Sequence, residues 1–96
     1  MITSNSNKQI KWVRSLQSKR SARRNEGMFV IEGTRLVKEA LRLDQKVTLV
    51  LHTNTWGSRN LLLLEQLNQS EVHIELVTDA VLASCSDVET PQGVLA

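Results

Sequence analysis

The sequence predicts an α/β fold, a three-layer α/β/α arrangement in which a small mixed sheet lies between two layers of helices. The first observation is that segments with helical spacing alternate with short apolar runs, in the order α-β-α-β-α-β-α, with a further strand beginning at Val94. The second is the length of 96 residues, which suits one domain with a single core. The third is the composition, 41% apolar and 23% charged, which is that of an ordinary soluble protein.

The first helix is predicted over residues 7–16. Ser6 or Asn7 can cap its start, because a short polar side chain there accepts hydrogen bonds from the first free amides. The apolar residues recur at the spacing of one helical face, which indicates one buried side, and a half-buried tryptophan lies beside them: Ile10, Val13 and Leu16, with Trp12.

Residues 17–27 are polar and basic and end at Gly27. This pattern is typical of a frayed helix end that runs into an exposed loop. We therefore expect residues 17–26 to be mobile in the free protein.

A short apolar run at residues 28–31 is bounded by Gly27 and Gly33 and predicts a buried strand. Gly33 and Thr34 then open the second helix. Its inward face is expected to carry Leu36, Val37, Ala40 and Leu41, with Arg35, Lys38, Glu39 and Arg42 facing solvent.

The next strand is predicted at residues 47–51, and a polar loop at residues 53–58 follows it. Trp56 in this loop could stack on a nucleobase or pack under the loop, and the sequence leaves both open. Four consecutive leucines at residues 61–64, together with Leu67, belong to the third helix and predict a wide buried face.

Residues 72–77 alternate between apolar and polar side chains and predict a third strand. Thr78 and Asp79 can cap a short fourth helix, whose apolar side holds Cys85 as a buried structural thiol. A turn at residues 91–93 precedes the last apolar run. We expect the chain to be part of a longer protein, because natural C-termini more often end in polar residues.

The sequence contains no recognisable catalytic or metal-binding motif. It lacks a glycine-rich phosphate loop, a serine nucleophile elbow and a zinc-protease helix. His52 and His73 are expected at the surface or at a strand edge, and the acidic residues Asp79, Asp87 and Glu89 lack further ligands. We therefore predict no catalytic residue, no cofactor site and no metal site in this chain.

The charge is divided unevenly along the chain. Residues 1–24 contain seven cations and no acids, whereas residues 25–96 contain five cations and ten acids, so that +7 and −5 give the net charge of +2. A basic arm ahead of a mildly acidic body predicts a polyanionic partner, with nucleic acid ahead of a membrane surface. The alternative is a solvated helical face that serves solubility.

The sequence predicts no membrane segment and no secretory signal. Its longest apolar run, residues 61–64, is far shorter than the roughly 20 residues that span a bilayer, and its start has no apolar core of a signal peptide. A single cysteine cannot form an internal disulfide, which fits a reducing compartment. We therefore expect a cytoplasmic protein.

The turn at residues 32–35 is the strongest local candidate for anion binding. Gly33 allows close approach of a ligand to the backbone, the first amides of the helix attract anions, and the guanidinium of Arg35 suits phosphate. The alternative is that Gly33 only permits the turn and that Glu32 caps or pairs locally.

Several motifs follow one another along the whole chain. They are Ile2-Thr3-Ser4; Asn7 with Ile10-Lys11; Lys19-Arg20 with Arg23-Arg24; Gly27-x-Phe29-x-x-Glu32-Gly33-x-Arg35-Leu36-Val37-x-Glu39-Ala40; and Ser86-Asp87-x-x-Thr90-Pro91-Gln92-Gly93-Val94. In this order they resemble the N-terminal part of the SpoU/TrmH-type RNA methyltransferases. The blocks around Glu32-Gly33 and Pro91-Gln92-Gly93 are together fairly specific. One departure is Lys8, where the family often has proline.

The resemblance implies a substrate-binding domain, similar in fold to the ribosomal proteins that bind kinked RNA. The parent enzyme would transfer a methyl group from S-adenosylmethionine to a ribose 2′-hydroxyl of rRNA or tRNA. S-adenosylmethionine would bind in a knotted catalytic domain after this segment, and the full-length protein would form a homodimer through that domain. A basic helix and arm would occupy residues 1–27 and an α/β RNA-binding unit residues 28–96, within one domain overall. RNA contact is carried over to Lys11, Lys19, Arg20, Arg23, Arg24, Gly33 and Arg35, while Glu32 is expected to shape its loop.

Two other functions stay open at this point. One is a stand-alone protein that binds kinked RNA without enzymatic activity, which the length of the encoded protein would distinguish. The other is a protein-interaction module whose basic arm docks an acidic partner, which competition by RNA would distinguish.

Overall fold

The computed structural model describes residues 1–88 and 91–96. Glu89 of the candidate acidic cluster and Thr90 of the last motif lie outside the described residues. The described residues form six helices and three strands. In chain order these are α1 (Lys8–Ser18), α2 (Arg20–Glu26), α3 (Thr34–Arg42), β1 (Leu49–His52), α4 (Asn54–Arg59), α5 (Leu61–Gln69), β2 (His73–Leu76), α6 (Asp79–Cys85) and β3 (Val94–Leu95).

The three strands form one sheet with the order β2-β1-β3. β1 runs parallel to β2, with Val50 opposite Ile74, and antiparallel to β3, with Leu51 opposite Leu95. The parallel pair is joined by a crossover through α4 and α5, because parallel neighbours cannot be connected by a tight turn. The predicted small mixed sheet is confirmed.

Each face of the sheet carries its own apolar cluster, because successive residues of β1 point to opposite sides. Leu51 faces α1 and α6, where it packs with Ile10, Val13, Val77, Val81, Leu82, Cys85 and Leu95. Val50 faces α3, α4 and α5, where it packs with Val37, Trp56, Leu63, Leu67 and Val94. The predicted three-layer α/β/α arrangement is therefore confirmed.

α1 has the predicted cap and the predicted buried face. The side-chain oxygen of Asn7 accepts hydrogen bonds from the amides of Gln9 and Ile10, at 2.8 and 3.4 Å. Ile10, Val13 and Leu16 are buried against the sheet and α6. The first helix thus belongs to the core of the domain.

The loop predicted over residues 17–27 is wrong, because residues 20–26 form α2. Arg23 stabilises the junction with α1 by donating from Nη1 to the carbonyl oxygens of Leu16 at 2.6 Å and Gln17 at 3.2 Å. Gly27 ends α2 in the left-handed conformation, with φ 64°. α2 has no buried residue, so it has no apolar periodicity that a sequence pattern could reveal.

The buried strand predicted at residues 28–31 is also wrong. The side chain of Phe29 is 71% exposed, and β-pairing is limited to the end of the segment. There, Ile31 exchanges backbone hydrogen bonds of 2.9 and 3.0 Å with Ala96, and Glu32 forms an antiparallel bridge with Leu95. A strand needs a partner along its length, and among the described residues this segment has one only at its end.

The polar loop predicted at residues 53–58 contains α4, which Thr53 caps by accepting a hydrogen bond from the amide of Trp56 at 3.2 Å. Trp56 is only 3% exposed, and its indole Nε1 donates to Oγ1 of Thr34 at 2.9 Å. Of the two interpretations of Trp56, packing is therefore the correct one. His52, expected at the surface or a strand edge, is buried beside it, with the ring centroids 5.6 Å apart.

Two apolar faces are narrower than predicted. Leu61 and Leu62 of α5 are 66% and 79% exposed, whereas Leu63 and Leu67 are buried. Successive helical residues are rotated by about 100°, so four consecutive leucines cannot share one face. On α3, Leu36 is likewise exposed.

α6 agrees with its prediction. Thr78 caps it by accepting a hydrogen bond from the amide of Val81 at 3.2 Å, and Asp79 lies in its first turn rather than at the cap. Cys85 is buried at its end, as predicted.

No helix among the described residues has the length and apolar character needed to cross a membrane. Within residues 1–88 and 91–96, no group of three or more histidine, cysteine, aspartate or glutamate side chains is placed to hold a metal ion.

Candidate nucleic-acid interface

A polar groove of about 410 Å³ lies between α1 and the end of α6. Of the described residues that line it, three are cationic, Lys11, Arg14 and Lys19, and one is acidic, Asp87. Most of the remaining lining is small and polar, from Ser15, Gln17, Ser18, Ser84, Cys85 and Ser86. A concave surface with an excess of one charge focuses the electrostatic potential, so this groove attracts anions.

The packing of α1 positions these cations. Ile10 and Val13 are buried, and Lys11 and Arg14 each follow one of them by a single position. Residues three apart on a helix are neighbours on its surface, so the two cations lie side by side, and both are exposed. Lys19 adds a third charge where the backbone becomes extended between α1 and α2, with φ −122° and ψ 116°.

Gln17 fixes the groove to the sheet layer. Its Nε2 donates to the carbonyl oxygen of Cys85 at 2.9 Å and to Oε1 of Glu32 at 2.8 Å. The same carboxylate oxygen accepts a hydrogen bond from the amide of Asp87 at 2.7 Å. Glu32 thereby joins α1 to the segment after α6.

Arg14 lies close enough to the thiol of Cys85 to influence its ionisation. Burial raises the pKa of Cys85, while the hydrogen bond with Ser84 and the positive charge of Arg14 lower that pKa in part. Because the pKa stays above its ordinary value, the thiol is protonated at neutral pH and forms a wall of the groove rather than a nucleophile.

The predicted contact residues of the arm fall into three groups. Lys11 and Lys19 are brought together in the groove. Arg20 and Arg24 are exposed on α2, which packs against α1, and they do not line the groove. Arg23 is half-buried, and its Nη1 bonds the end of α1.

Arg14 is the groove residue that sequence reasoning missed. It counts toward the basic arm but lies outside the matched motifs, which end at Lys11 in this helix. Its spacing of three from Lys11 on the polar side of the predicted helix is the signal that could have identified it.

The position at the turn of residues 32–35 where an anion was expected is occupied by the side chain of Gln92. Oε1 of Gln92 accepts a hydrogen bond from the amide of Thr34 at 3.1 Å, at the position where an anion was expected. Gly33 is buried with φ 91°, and a Cβ atom there would lie 2.9 Å from the same oxygen of Gln92. This geometry favours the alternative in which Gly33 permits the turn, while Arg35 remains exposed on the first turn of α3.

Gly93 extends this contact to α4. Its carbonyl oxygen accepts a hydrogen bond from the amide of Thr53 at 3.0 Å. With φ 100°, a Cβ atom on Gly93 would lie 2.9 Å from Oγ1 of Thr53 and 3.0 Å from Cβ of Trp56. The two most specific sequence blocks, around Gly33 and Gly93, therefore meet in space and hold three turns together.

Comparison with known proteins identifies the family of this chain. Residues 7–96 match the family described as the MRM3-like substrate binding domain. The chain belongs to this family. The match runs from the cap of α1 to the end of the chain, so the groove and the three joined turns all lie within the MRM3-like domain.

The relatives of the MRM3-like domain are larger proteins. One is an uncharacterised tRNA/rRNA methyltransferase of Synechocystis sp., 33% identical over 95 residues that cover 99% of this chain and 34% of the relative. An rRNA methyltransferase from Sinorhizobium meliloti has a similar fold, with a TM-score of 0.82 and 22% identity over 98% of this chain and 34% of that protein. The structure of an RNA 2′-O ribose methyltransferase has a TM-score of 0.78 and 29% identity over 99% of this chain and 35% of that protein. The chain thus spans about a third of the length of the proteins that it matches.

Proposed function

We propose that this chain is the RNA-recognition domain of an S-adenosylmethionine-dependent RNA 2′-O-ribose methyltransferase of the SpoU/TrmH type, which acts on rRNA or tRNA. The observation that carries the proposal is the groove of Lys11, Arg14 and Lys19 in a domain of a substrate-binding family. The names of the relatives support it, since they include a tRNA/rRNA methyltransferase and an RNA 2′-O ribose methyltransferase.

In this proposal the groove holds the sugar-phosphate backbone. The ammonium groups of Lys11 and Lys19 act as point charges toward phosphates, and the planar guanidinium of Arg14 can bond two phosphate oxygens at once. The serine hydroxyls beside them leave room for a backbone to approach and can donate to phosphate or to a 2′-hydroxyl. Such contacts position an RNA without reading its sequence.

The arm continues this surface beyond the groove. Residues 1–27 form the basic helix and arm of the proposal, and Arg20 and Arg24 on α2 extend the charged surface toward further phosphates. Arg35, exposed at the start of α3, supplies a contact from residues 28–96. Gly33 serves binding by permitting the turn that presents Arg35, and Arg23 serves it by holding α2 against α1.

The residues of this chain do not suit S-adenosylmethionine. Its sulfonium is a cation, which the excess positive charge of the groove repels. Of the described residues that line the apolar cavity between α1 and residues 27–31, one is a lysine and none is acidic. We therefore assign the cofactor and the methyl transfer to the remaining two-thirds of a protein as long as its relatives, one of which is described as AdoMet-bound.

We also assign homodimerisation to that remaining part. A cytoplasmic location fits an RNA substrate and the single unpaired cysteine. A stand-alone kinked-RNA-binding protein is not favoured, because the relatives that match nearly the whole chain are methyltransferases about three times its length.

The proposal is tested by titrating a structured rRNA fragment and a tRNA with this chain at two salt concentrations. About five phosphate contacts predict that the logarithm of affinity falls with the logarithm of salt concentration with a slope of roughly −4. An affinity that does not change with salt, or no binding even at low salt, contradicts the proposal.

A matched pair of charge reversals locates the interface. Arg14→Glu in the groove should weaken binding and reduce the salt slope by about 1, whereas Arg59→Glu on α4 should change neither. α4 packs on the opposite face of the sheet, so the control changes the net charge equally without changing the groove. Equal effects of the two substitutions would rule the groove out as the RNA site.

A further inference from the structure

The strand β3 has a pairing partner on each side. On one side Leu51 of β1 lies opposite Leu95 in an antiparallel register. On the other side Glu32 forms an antiparallel bridge with Leu95, and Ile31 exchanges two hydrogen bonds with Ala96. β3 is therefore an interior strand, although it is only two residues long.

The pairing register of β3 with its two neighbours shows which of their backbone groups are the next in line to form hydrogen bonds. In an antiparallel pair, hydrogen-bonded positions recur at every second residue. On the β1 side, Thr53 bonds Gly93, so the hydrogen-bonded positions run through Leu51 to Leu49. On the other side, Gly33 bonds Val94 and Ile31 bonds Ala96, so the next such position is Phe29. The backbone groups of Leu49 and Phe29 thus face each other across the space beyond Ala96.

This space is an apolar cavity of about 340 Å³. Its walls are the two strand-like segments around Leu49 and Phe29, the end of the chain at Ala96, and the face of α1. The floor is lined by side chains of the first apolar cluster and its surroundings: Trp12, Val13, Leu16, Leu51 and Leu95. A slot with backbone hydrogen-bonding groups on both sides and an apolar floor has the properties of a missing strand position in a sheet.

The length of the relatives indicates what fills the slot. The chain spans about a third of their length, and Ala96 already lies in the lining. We propose that the segment following Ala96 in the full-length protein continues β3 as a strand between Leu49 and Phe29 and fills this cavity. The inference rests on the proposed function only in that the encoded protein continues into a catalytic part.

The register also predicts the side chains of that segment. Leu95 points toward α1 and α6, so Ala96 is on the opposite face, and side chains alternate from there. Ala96 itself packs with the second cluster, so the first residue after it returns to the face of Trp12 and Leu16 and should be apolar. The second residue should pair with Phe29, which would convert residues 28–31 into the strand that the sequence predicts.

The connection between the two parts of the protein is then a paired strand at its start and not a free linker. An interior strand cannot pivot where it leaves the sheet, so the groove of α1 would keep a fixed relation to the first residues of the catalytic part. The apolar cavity is therefore the docking site for the segment of the protein that follows Ala96.

Amide hydrogen exchange tests the proposal by comparing this 96-residue chain with the full-length encoded protein. Exchange at the amide of Phe29 should be at least about tenfold slower in the full-length protein, because the amide gains a hydrogen bond. The amide of Val77, which bonds the carbonyl oxygen of His52 in the described chain, serves as the control and should not change. Equally fast exchange of Phe29 in both proteins would overturn the proposal.

A dye that fluoresces when it binds apolar surface gives a second measurement. The 96-residue chain should bind 8-anilinonaphthalene-1-sulfonate through the open cavity, and the full-length protein should not; equal binding per domain would also overturn the proposal. If instead Phe29 is protected in the 96-residue chain itself, in step with concentration-dependent dimerisation, a second copy fills the slot and the proposal is wrong.

A pair of substitutions in the full-length protein completes the test. Phe29→Pro removes the backbone amide of residue 29 as a hydrogen-bond donor, which should weaken the inserted strand and speed exchange at the amide of Leu49 on its other side several-fold. Phe29→Leu keeps this amide and should leave exchange at Leu49 unchanged. No difference between the two variants would contradict the strand pairing. None of these readouts involves RNA, so a failure of the RNA titration and a failure of this inference are distinguishable.

Discussion

Replacing Gly33 with alanine tests whether this glycine is a structural element of the turn or a direct RNA contact. Its backbone, with φ 91° and ψ 155°, is in a region that is essentially restricted to glycine and costs other residues about 1–3 kcal/mol. The new Cβ atom would lie 2.9 Å from Oε1 of Gln92. Because that oxygen ends a flexible side chain, it can move away, at the expense of its 3.1 Å hydrogen bond from the amide of Thr34, about 1 kcal/mol. We expect Gly33→Ala to lower the free energy of unfolding by about 2–4 kcal/mol in total.

The assay is urea unfolding of a double-mutant cycle. Gln92→Ala alone should cost about 1 kcal/mol, because it removes the hydrogen bond to Thr34. In the presence of Gly33→Ala the same substitution should cost almost nothing, since the side chain has already been displaced. The cycle should therefore give a coupling free energy of about 1 kcal/mol between the two positions.

Gly27→Ala is the matched control. Gly27 also has a positive φ, 64°, but a Cβ atom there would meet nothing within 4 Å. This control should show the backbone strain of about 1 kcal/mol and no coupling to Gln92. The reasoning is refuted if Gly33→Ala is additive with Gln92→Ala. It is refuted equally if Gly33→Ala leaves stability unchanged while it abolishes RNA binding, because the glycine would then act by contact.

Three further outcomes are expected from the same structure. Since burial raises the pKa of Cys85, alkylation by iodoacetamide at pH 7 should be slower than that of a free cysteine and should accelerate on unfolding in urea; a rate equal to the free thiol would contradict the burial. Trp56→Phe keeps the ring in the core but removes the indole donor to Thr34, so urea unfolding should show a loss of about 1 kcal/mol, and no loss would contradict the hydrogen bond. Arg23→Ala should cost about 1–2 kcal/mol because it removes the bonds that end α1, whereas Arg24→Ala on the same helix should stay within about 0.5 kcal/mol; thermal unfolding of the pair distinguishes them.

The sequence predicts well the elements whose start and buried side are both determined by residues of the same segment. α1 has its cap at Asn7 and an apolar stripe that includes Ile10, and α6 has its cap at Thr78 and ends in buried Cys85. Capping depends on the side chain of one residue and burial on a spacing of three or four, so both are readable without knowledge of the fold.

The elements that were missed depend on contacts between distant parts of the chain. α2 has no buried residue and is held by the guanidinium of Arg23 on the end of α1. Trp56 lies in a polar segment, but it is buried in the core, where its indole donates a hydrogen bond to Thr34, 22 positions earlier. Residues 28–31 have the composition of a strand, but among the described residues only Ile31, at the end of the segment, pairs with another strand position, at Ala96.

The candidate site likewise has features that local sequence predicts and features that depend on contacts between distant parts of the chain. The excess of positive charge in the arm follows from composition, and the structure assembles Lys11 and Lys19 of that arm into one groove with Arg14. Which arginine is free to bind a phosphate does not follow from residue type, because Arg23 and Arg24 are adjacent and chemically identical. Only the position of the carbonyl groups at the end of α1 distinguishes them.

The interior position of β3 has a consequence for the order in which the domain forms. Its neighbours in the sheet are β1 and residues 31–32, and the hydrogen bond between Thr34 and Gln92 spans 58 positions of sequence. During synthesis the helices can form as they emerge, but the edge of β1 that receives β3 stays unpaired until the end of the domain has left the ribosome. Closure of the sheet is therefore a late, non-local step, and a stalled or truncated nascent chain would expose a strand edge that is open to pairing with other chains.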